Sequence, residues 1–234
     1  MNILAFDTCF GAVSVAVGRR TAVGEWLTHE AYEEMAIGQA ERLMPMVDEV
    51  MRAAGIDFAQ VSRIAVTRGP GSFTGVRVGV AAARALALAT GAPLVATTSL
   101  AVVAATACSQ LTGHADGDLA VAMDARRGGL YMQVFGPCPR DEVTAAELVT
   151  PEVGAMRLAG RRVIAVGSGA EALVRAAAVS GNKEVDARLP GLQPRASSLL
   201  MLAAELPPLE VLAPLYLRQP DAKPQLYTGP LRTD

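Results

Sequence analysis

A chain of 234 residues, 51% hydrophobic and 19% charged, has enough apolar material for a sizeable core in one large domain or two small ones, which excludes a disordered or fibrous chain. A net charge of −2 excludes a surface that attracts nucleic acid as a whole, so any extensive phosphate contacts fall to another subunit. Three cysteines (Cys9, Cys108, Cys138) without CxxC spacing and two isolated histidines (His29, His114) exclude a zinc site built from local motifs and suggest reduced thiols in a cytoplasmic protein.

Residues 2–8 form a short apolar run ending in Asp7-Thr8-Cys9, read as a buried strand with polar groups at its C-terminal end. The opening lacks a basic region and meets an acid too early for a signal peptide. Val13, Val15 and Val17 alternate with small residues as a second strand, and residues 22–28 are expected to close an antiparallel meander. Residues 33–54 carry helical periodicity, with Leu43, Val47 and Met51 on the apolar stripe and Pro45 at a bend or a start. Met35, Met44, Met46 and Met51 suit either a recognition surface or ordinary core packing. Gly55 ends that helix, and residues 63–67 form the strand that feeds the glycine loop.

The loop is Gly69-Pro70-Gly71-Ser72-Phe73-Thr74-Gly75, followed by a helix rich in Ala, Val, Leu and Arg that closes at Gly91. Ser72 or Thr74 is expected to cap the helix. Two readings stand for the loop: an anion cradle of backbone N–H groups, or a structural strand-to-helix turn. It is not a Walker A loop, because no Lys follows the final glycine. Gly75, Gly79 and Ala83 recur every four residues and so share one face that admits a second backbone. That face is assigned to a partner helix, with Phe73 and Val76 beside it and Leu43, Val47 and Met51 of the preceding helix supplying apolar burial to the same interface, and Gly79→Leu is expected to block pairing while sparing the fold. The longest apolar run, near residues 81–89, is interrupted by Arg84, so no membrane span is expected.

A strand over residues 93–97 and a helix over 99–109 follow, and residues 110–117 are polar enough to mark a boundary. The opening pattern then returns. Residues 119–124 are an apolar strand ending in Asp124, Gly128-Gly129 turn the chain, and residues 130–135 pair back. Strands over 143–149 and 162–166, a second glycine turn at Gly167-Ser168-Gly169, and helices over 170–179 and 195–205 complete the order. The tail from Pro220 is expected to be extended. Two similar halves, residues 1–109 and 110–234, imply α/β lobes that face a cleft, with the C-terminal helix free to pack back on the first lobe.

Four pieces in order, Asp7-Thr8, GPGSFTGVRVG from Gly69 to Gly79, Met123-Asp124-Ala125-Arg126 and Pro214-Leu215-Tyr216-Leu217-Arg218, resemble the TsaB (YeaZ) family. The resemblance covers nearly the whole chain. It implies an α/β, two-lobed actin-like ATPase (ASKHA, Hsp70/sugar-kinase) fold with duplicated βββαβα lobes. It further implies a non-catalytic subunit for N6-threonylcarbamoyladenosine at tRNA position 37. The implied partners are a TsaD-like catalytic paralogue, a TsaE-like ATPase, tRNA through the complex, and a second copy when the chain is alone. The paralogue's HxxxH metal motif has no counterpart in Ala36-Ile37-Gly38-Gln39-Ala40-Glu41-Arg42-Leu43-Met44-Pro45, so no metal or cofactor is expected to be required here. ATP or ADP is left room at the complex interface. A vestigial nucleotide cleft would fall between Asp7, Thr8, Asp124, Gly167, Ser168 and Gly169. Family members commonly carry an acid where Gly129 stands, two residues before the retained Tyr131. The alternatives are an independent actin-fold ATPase or small-molecule kinase and, last, a glycoprotease-like metallopeptidase.

Overall fold

Residues 1–111, 117–136 and 141–218 are described by a computed structural model and build two five-stranded sheets. The first contains β1 (Asn2–Asp7), β2 (Ala12–Arg20), β3 (Trp26–Glu34), β4 (Arg63–Thr67) and β5 (Leu94–Thr97) in the order β3-β2-β1-β4-β5. The second contains β6 (Asp118–Asp124), β7 (Leu130–Phe135), β8 (Glu147–Val149), β9 (Val163–Val166) and β10 (Val185–Ala187) in the order β10-β9-β6-β7-β8. In each, the first strand is central, antiparallel to the second and parallel to the fourth. The two orders coincide when read outward from that strand. The repeat seen in the sequence is therefore a repeat of topology, with one more strand and helix per half than the βββαβα expected.

The helices are α1 (Gln39–Ala54), α2 (Phe73–Thr90), α3 (Ser99–Gln110), α4 (Pro151–Arg157), α5 (Ala170–Val179) and α6 (Ala196–Ala203). Strand alternation decides what each covers. Leu4, Phe6, Val13, Val15 and Val17 point to one side, where Leu43, Val47 and Met51 of α1 and Val76, Val80 and Ala83 of α2 complete a core. Ile3, Ala5 and Ala16 point to the other, and there Leu199, Leu200 and Ala203 of α6 cover the first sheet. On the second sheet, Leu119, Val121 and Met123 receive Leu100, Val103 and Ala104 of α3. The last helix of each half thus lies on the other half's sheet. Polar contacts hold α6 at both ends. The Glu30 carboxylate accepts from Ser14 Oγ at 3.0 Å, Arg195 Nη2 at 3.0 Å and the Ser197 amide at 3.1 Å, while Arg63 Nη1 donates to the Ala203 carbonyl at 2.6 Å.

Several boundaries differ from expectation. The third strand runs Trp26–Glu34, not over residues 22–28, because a turn closed by Thr21 N to Glu25 O at 2.8 Å puts β3 in register with all nine residues of β2. The first helix accordingly begins at Gln39, after Gly38 at φ 94, and Pro45 lies inside it. The seven-residue α4, with Thr150 as N-cap and Pro151 at its first turn, and the three-residue β10 were not expected. Among the described residues α2 is the one helix long and apolar enough to pass as a membrane span, but Val76, Val80, Ala83 and Leu86 on its inner face belong to the first core. Cys138, His114 and the tail from Pro220 lie outside the described residues.

The glycine loop and the interlobe cleft

The glycine loop is fixed by the end of β1. The Ser72 amide donates to the Cys9 carbonyl at 2.7 Å, and Ser72 Oγ, the N-cap of α2, accepts from the Gly75 amide at 3.0 Å. The Val76 amide returns to the Ser72 carbonyl at 3.0 Å, and Gly69–Pro70 is cis. Thr8 Oγ1 donates to the Gly75 carbonyl at 2.7 Å. A Cβ on Gly75 would overlap the Thr8 carbonyl oxygen, and one on Gly79 would stand 2.7 Å from Thr8 Oγ1. With the Ser72, Gly75 and Val76 amides donating inside the protein, the structural turn is the reading of this loop that the geometry supports.

This corrects the assignment of the small-residue face. Gly75, Val76, Gly79 and Ala83 are buried against the protein's own Thr8 and β4, and Leu43, Val47 and Met51 are buried in the same core. The backbone that the glycines admit is that of Thr8. Of the residues assigned to an interface, Phe73 is exposed, at 47%. The surface that α1 and α2 turn outward includes Met44 and Pro45 on α1 and Ala81, Ala85 and Leu88 on α2, set among Glu41, Asp48, Glu49, Arg52 and Arg84, with Ile37 just ahead of α1. Leu88 is 89% exposed and Ile37 85%.

A cleft of about 740 Å³ opens between the sheets. Asp124 and Ser168 line it, as expected, but Asp7, Thr8, Gly167 and Gly169 do not. Asp7 is buried: Thr67 Oγ1 donates to one carboxylate oxygen and the Cys9 amide to the other at 3.1 Å. Burial raises its pKa to about 6, with the Thr67 and Cys9 hydrogen bonds pulling the other way. The Thr8 hydroxyl is engaged by Gly75. A Cβ on Gly167 would lie 2.6 Å from Met123 Sδ, and one on Gly169 would collide with Leu130, so these glycines admit neighbouring side chains of the second lobe rather than a ligand. Asp124 has a structural task as well. Its amide donates to Ser168 Oγ at 2.9 Å, and its Oδ1 accepts from the Arg126 amide at 2.8 Å, which fixes a turn holding Arg126 and Arg127 at φ 61 and 52.

Beyond the glycine loop, the cleft's other lining residues, Phe10, Tyr131, Tyr216 and Arg218 among them, carried no assigned role in the sequence. Residues 212–218 cross from the first lobe to the second: the Leu215 amide donates to the Arg68 carbonyl at 2.6 Å, Arg84 to the Leu212 carbonyl, Arg77 Nε to Tyr216 Oη at 3.0 Å, and Arg218 Nη2 to the Arg126 carbonyl at 3.2 Å. Phe73 stacks on Tyr216 with centroids 5.5 Å apart, and the Arg77 guanidinium sits 3.6 Å above the Phe73 ring. Phe10 from the first lobe meets Tyr131 from the second at 6.3 Å. Tyr131 and Arg218 stood in segments already quoted, DAR…Y and PLYLR, yet spacing alone does not bring two such distant segments together.

Two α/β lobes of one topology, each a five-stranded sheet with its first strand central, around a cleft define a two-lobed actin-like fold. A family profile described as TsaD, tRNA N6-adenosine threonylcarbamoyltransferase, matches residues 33–147. The tRNA threonylcarbamoyladenosine biosynthesis protein TsaB of Haemophilus influenzae is 31% identical over 182 residues, 72% of each chain. TsaB of Bacillus subtilis is 34% identical over 136 residues, 58% of this chain and 55% of the relative, so this alignment spans about half of that protein. The solved structure of YeaZ from Pseudomonas aeruginosa superposes with a TM-score of 0.70 at 30% identity, covering 92% of this chain and 99% of that one. The chain belongs to the TsaB family.

Proposed function

We propose that the chain is the non-catalytic activating subunit of the threonylcarbamoyltransferase complex that makes N6-threonylcarbamoyladenosine at tRNA position 37, pairing with a TsaD-like paralogue and working with a TsaE-like ATPase. Family membership supports the pathway. The observation that carries the subunit reading is the set of exposed apolar residues in the α1 and α2 region: Ala81, Ala85 and Leu88 repeat at helical spacing on α2, and Met44 on α1 and Ile37 ahead of it are exposed too. The subunit reaches tRNA through the complex, and in isolation the same face pairs two copies. Lack of an HxxxH in residues 36–45 supports a subunit that does not itself hold the paralogue's metal. Among the described residues no group of three or more His, Cys, Asp or Glu is placed to bind one. This subunit requires no cofactor of its own in this reading, and ATP or ADP binds at the complex interface.

The pairing test uses Met44→Glu with Leu88→Glu. Leu88 is 89% exposed and Met44 43%, so the monomer should stay folded with a melting temperature within a few degrees of the parent, while two carboxylates buried at the interface should weaken association with the paralogue by about a hundredfold or more. Light scattering on the mixed proteins reads the result. Undiminished pairing by this folded variant would remove the outer face from the account.

A further inference from the structure

Beyond α6 the described chain, residues 204–218, contains no helix or strand, so its path is set by what it touches. Three leucines seat it, each in a different core. Leu206 packs with α6 on the first sheet, Leu212 lies among the residues that α1 and α2 bury, and Leu217 packs on the core between α3 and the second sheet. The end of this segment forms a wall of the cleft, which Leu215, Tyr216, Leu217 and Arg218 line. The glycine loop and α2 hold that end in place. The Leu215 amide donates to the Arg68 carbonyl at 2.6 Å, and a Cβ on Gly69 would stand 2.6 Å from the Leu215 carbonyl oxygen. Arg77 Nε reaches Tyr216 Oη at 3.0 Å, and Arg84 Nη2 donates to the Leu212 carbonyl.

Arg84 belongs to two surfaces at once. It is exposed among Ala81, Ala85 and Leu88 on the outer side of α2, yet its guanidinium reaches across to the segment that walls the cleft. No residue of α2 is acidic, so no carboxylate of its own helix competes for that charge. A partner seated on α2 takes water away from Arg84. With Leu212 in place the guanidinium keeps an acceptor. With the segment released, the partner would cover a cation that has none, which costs far more than the same loss in water. The partner therefore binds the seated form more tightly, and such a difference in affinity is what shifts a conformation.

We propose that residues 213–218 are a strap that opens and closes along the cleft wall of the free chain, and that pairing on the outer face of α2 closes it through Arg84, a regulation that rests on the pairing proposed above. By linkage, a seated strap favours pairing by the same factor.

Hydrogen exchange of the full chain, alone and with the cognate TsaD-like protein, follows two amides. Leu215 lies past the Arg84 contact, whereas Leu209, which donates to the Leu94 carbonyl at 2.8 Å, lies before it and serves as the internal control. In the isolated chain Arg84→Ala should speed exchange at Leu215 about tenfold and leave Leu209 unchanged. Added paralogue should slow Leu215 in the parent about tenfold. Leu217→Ala frees the strap from the second lobe without altering α2, and light scattering should show pairing weakened about fivefold. Exchange at Leu215 that ignores Arg84→Ala, equal acceleration at both amides, or unchanged exchange in a pair that light scattering shows to have formed would overturn the strap while leaving the pairing face intact. A paralogue that does not associate at all would overturn the pairing reading, and this regulation with it.

Discussion

Gly75→Ala should destabilise the isolated chain by about 2–4 kcal/mol, although alanine is the better helix former by about 1 kcal/mol. Gly75 occupies the first turn of α2, where a Cβ would overlap the Thr8 carbonyl oxygen and stand 2.7 Å from the capping Ser72 Oγ. Neither neighbour yields cheaply. Thr8 O is backbone one residue past the central strand β1, and the Ser72 hydroxyl is the cap itself. Relief requires α2 to lift from Thr8 and β4, which opens the core around Val76, Val80 and Ala83. Urea unfolding of the two proteins measures the difference. A variant as stable as the parent would mean that Thr8 and α2 do not approach as described. Gly79→Leu belongs to the same class, since Thr8 Oγ1 lies 2.7 Å from its Cβ position. The expectation that it blocks pairing and spares the fold is therefore replaced by loss of the fold.

Asp7→Asn should stabilise the protein by about 2–3 kcal/mol at pH 7.5, a gain that disappears by about pH 4. Burial raises the carboxyl from its ordinary 3.8 to about 6. The neutral acid is thus the form the fold prefers. Below the unfolded pKa both states are protonated and the stabilisation is complete. As pH rises through the folded value of about 6 the native state must hold a buried charge, and that stability is lost. Asparagine keeps the shape without the charge. Its Oδ1 still accepts from the Cys9 amide, and its amide group faces Thr67 Oγ1, which already contacts Cys9 Sγ at 3.2 Å and has another partner for its proton. Chemical denaturation at both pH values checks the claim. A gain of equal size at pH 4 would show that something other than titration of Asp7 sets it.

The duplicated topology was legible because its elements are written locally: an apolar run, an acid, a hairpin, twice, at Asp7 and at Asp124. The Ser72 cap and the Gly91 end of α2 were legible for the same reason. What the sequence leaves undetermined is which surface a periodic face meets. Gly75, Gly79 and Ala83 announce a close backbone approach, but the four-residue repeat is the same whether that backbone belongs to a partner or to Thr8. The edge strand β3 was cut short because Glu33 and Glu34, facing solvent on a sheet edge, read as the start of the next helix. Thr150-Pro151, a cap followed by proline at the first helical position, was a readable start for α4. The cleft was legible in Asp124 and Ser168 and not in Phe10, Tyr131 or Arg218, whose meeting depends on residues 212–218 crossing between lobes.

The central claim is that the chain activates a catalytic paralogue without performing the transfer itself. Its most direct test is threonylcarbamoyl transfer to unmodified tRNA by the cognate TsaD-like protein, with the TsaE-like ATPase and threonylcarbamoyl-adenylate supplied, run with and without this chain and with this chain alone. Modified tRNA should form only when both paralogues are present, and Met44→Glu with Leu88→Glu should abolish it. Equal modification without the chain, or transfer by the chain alone, would contradict the account.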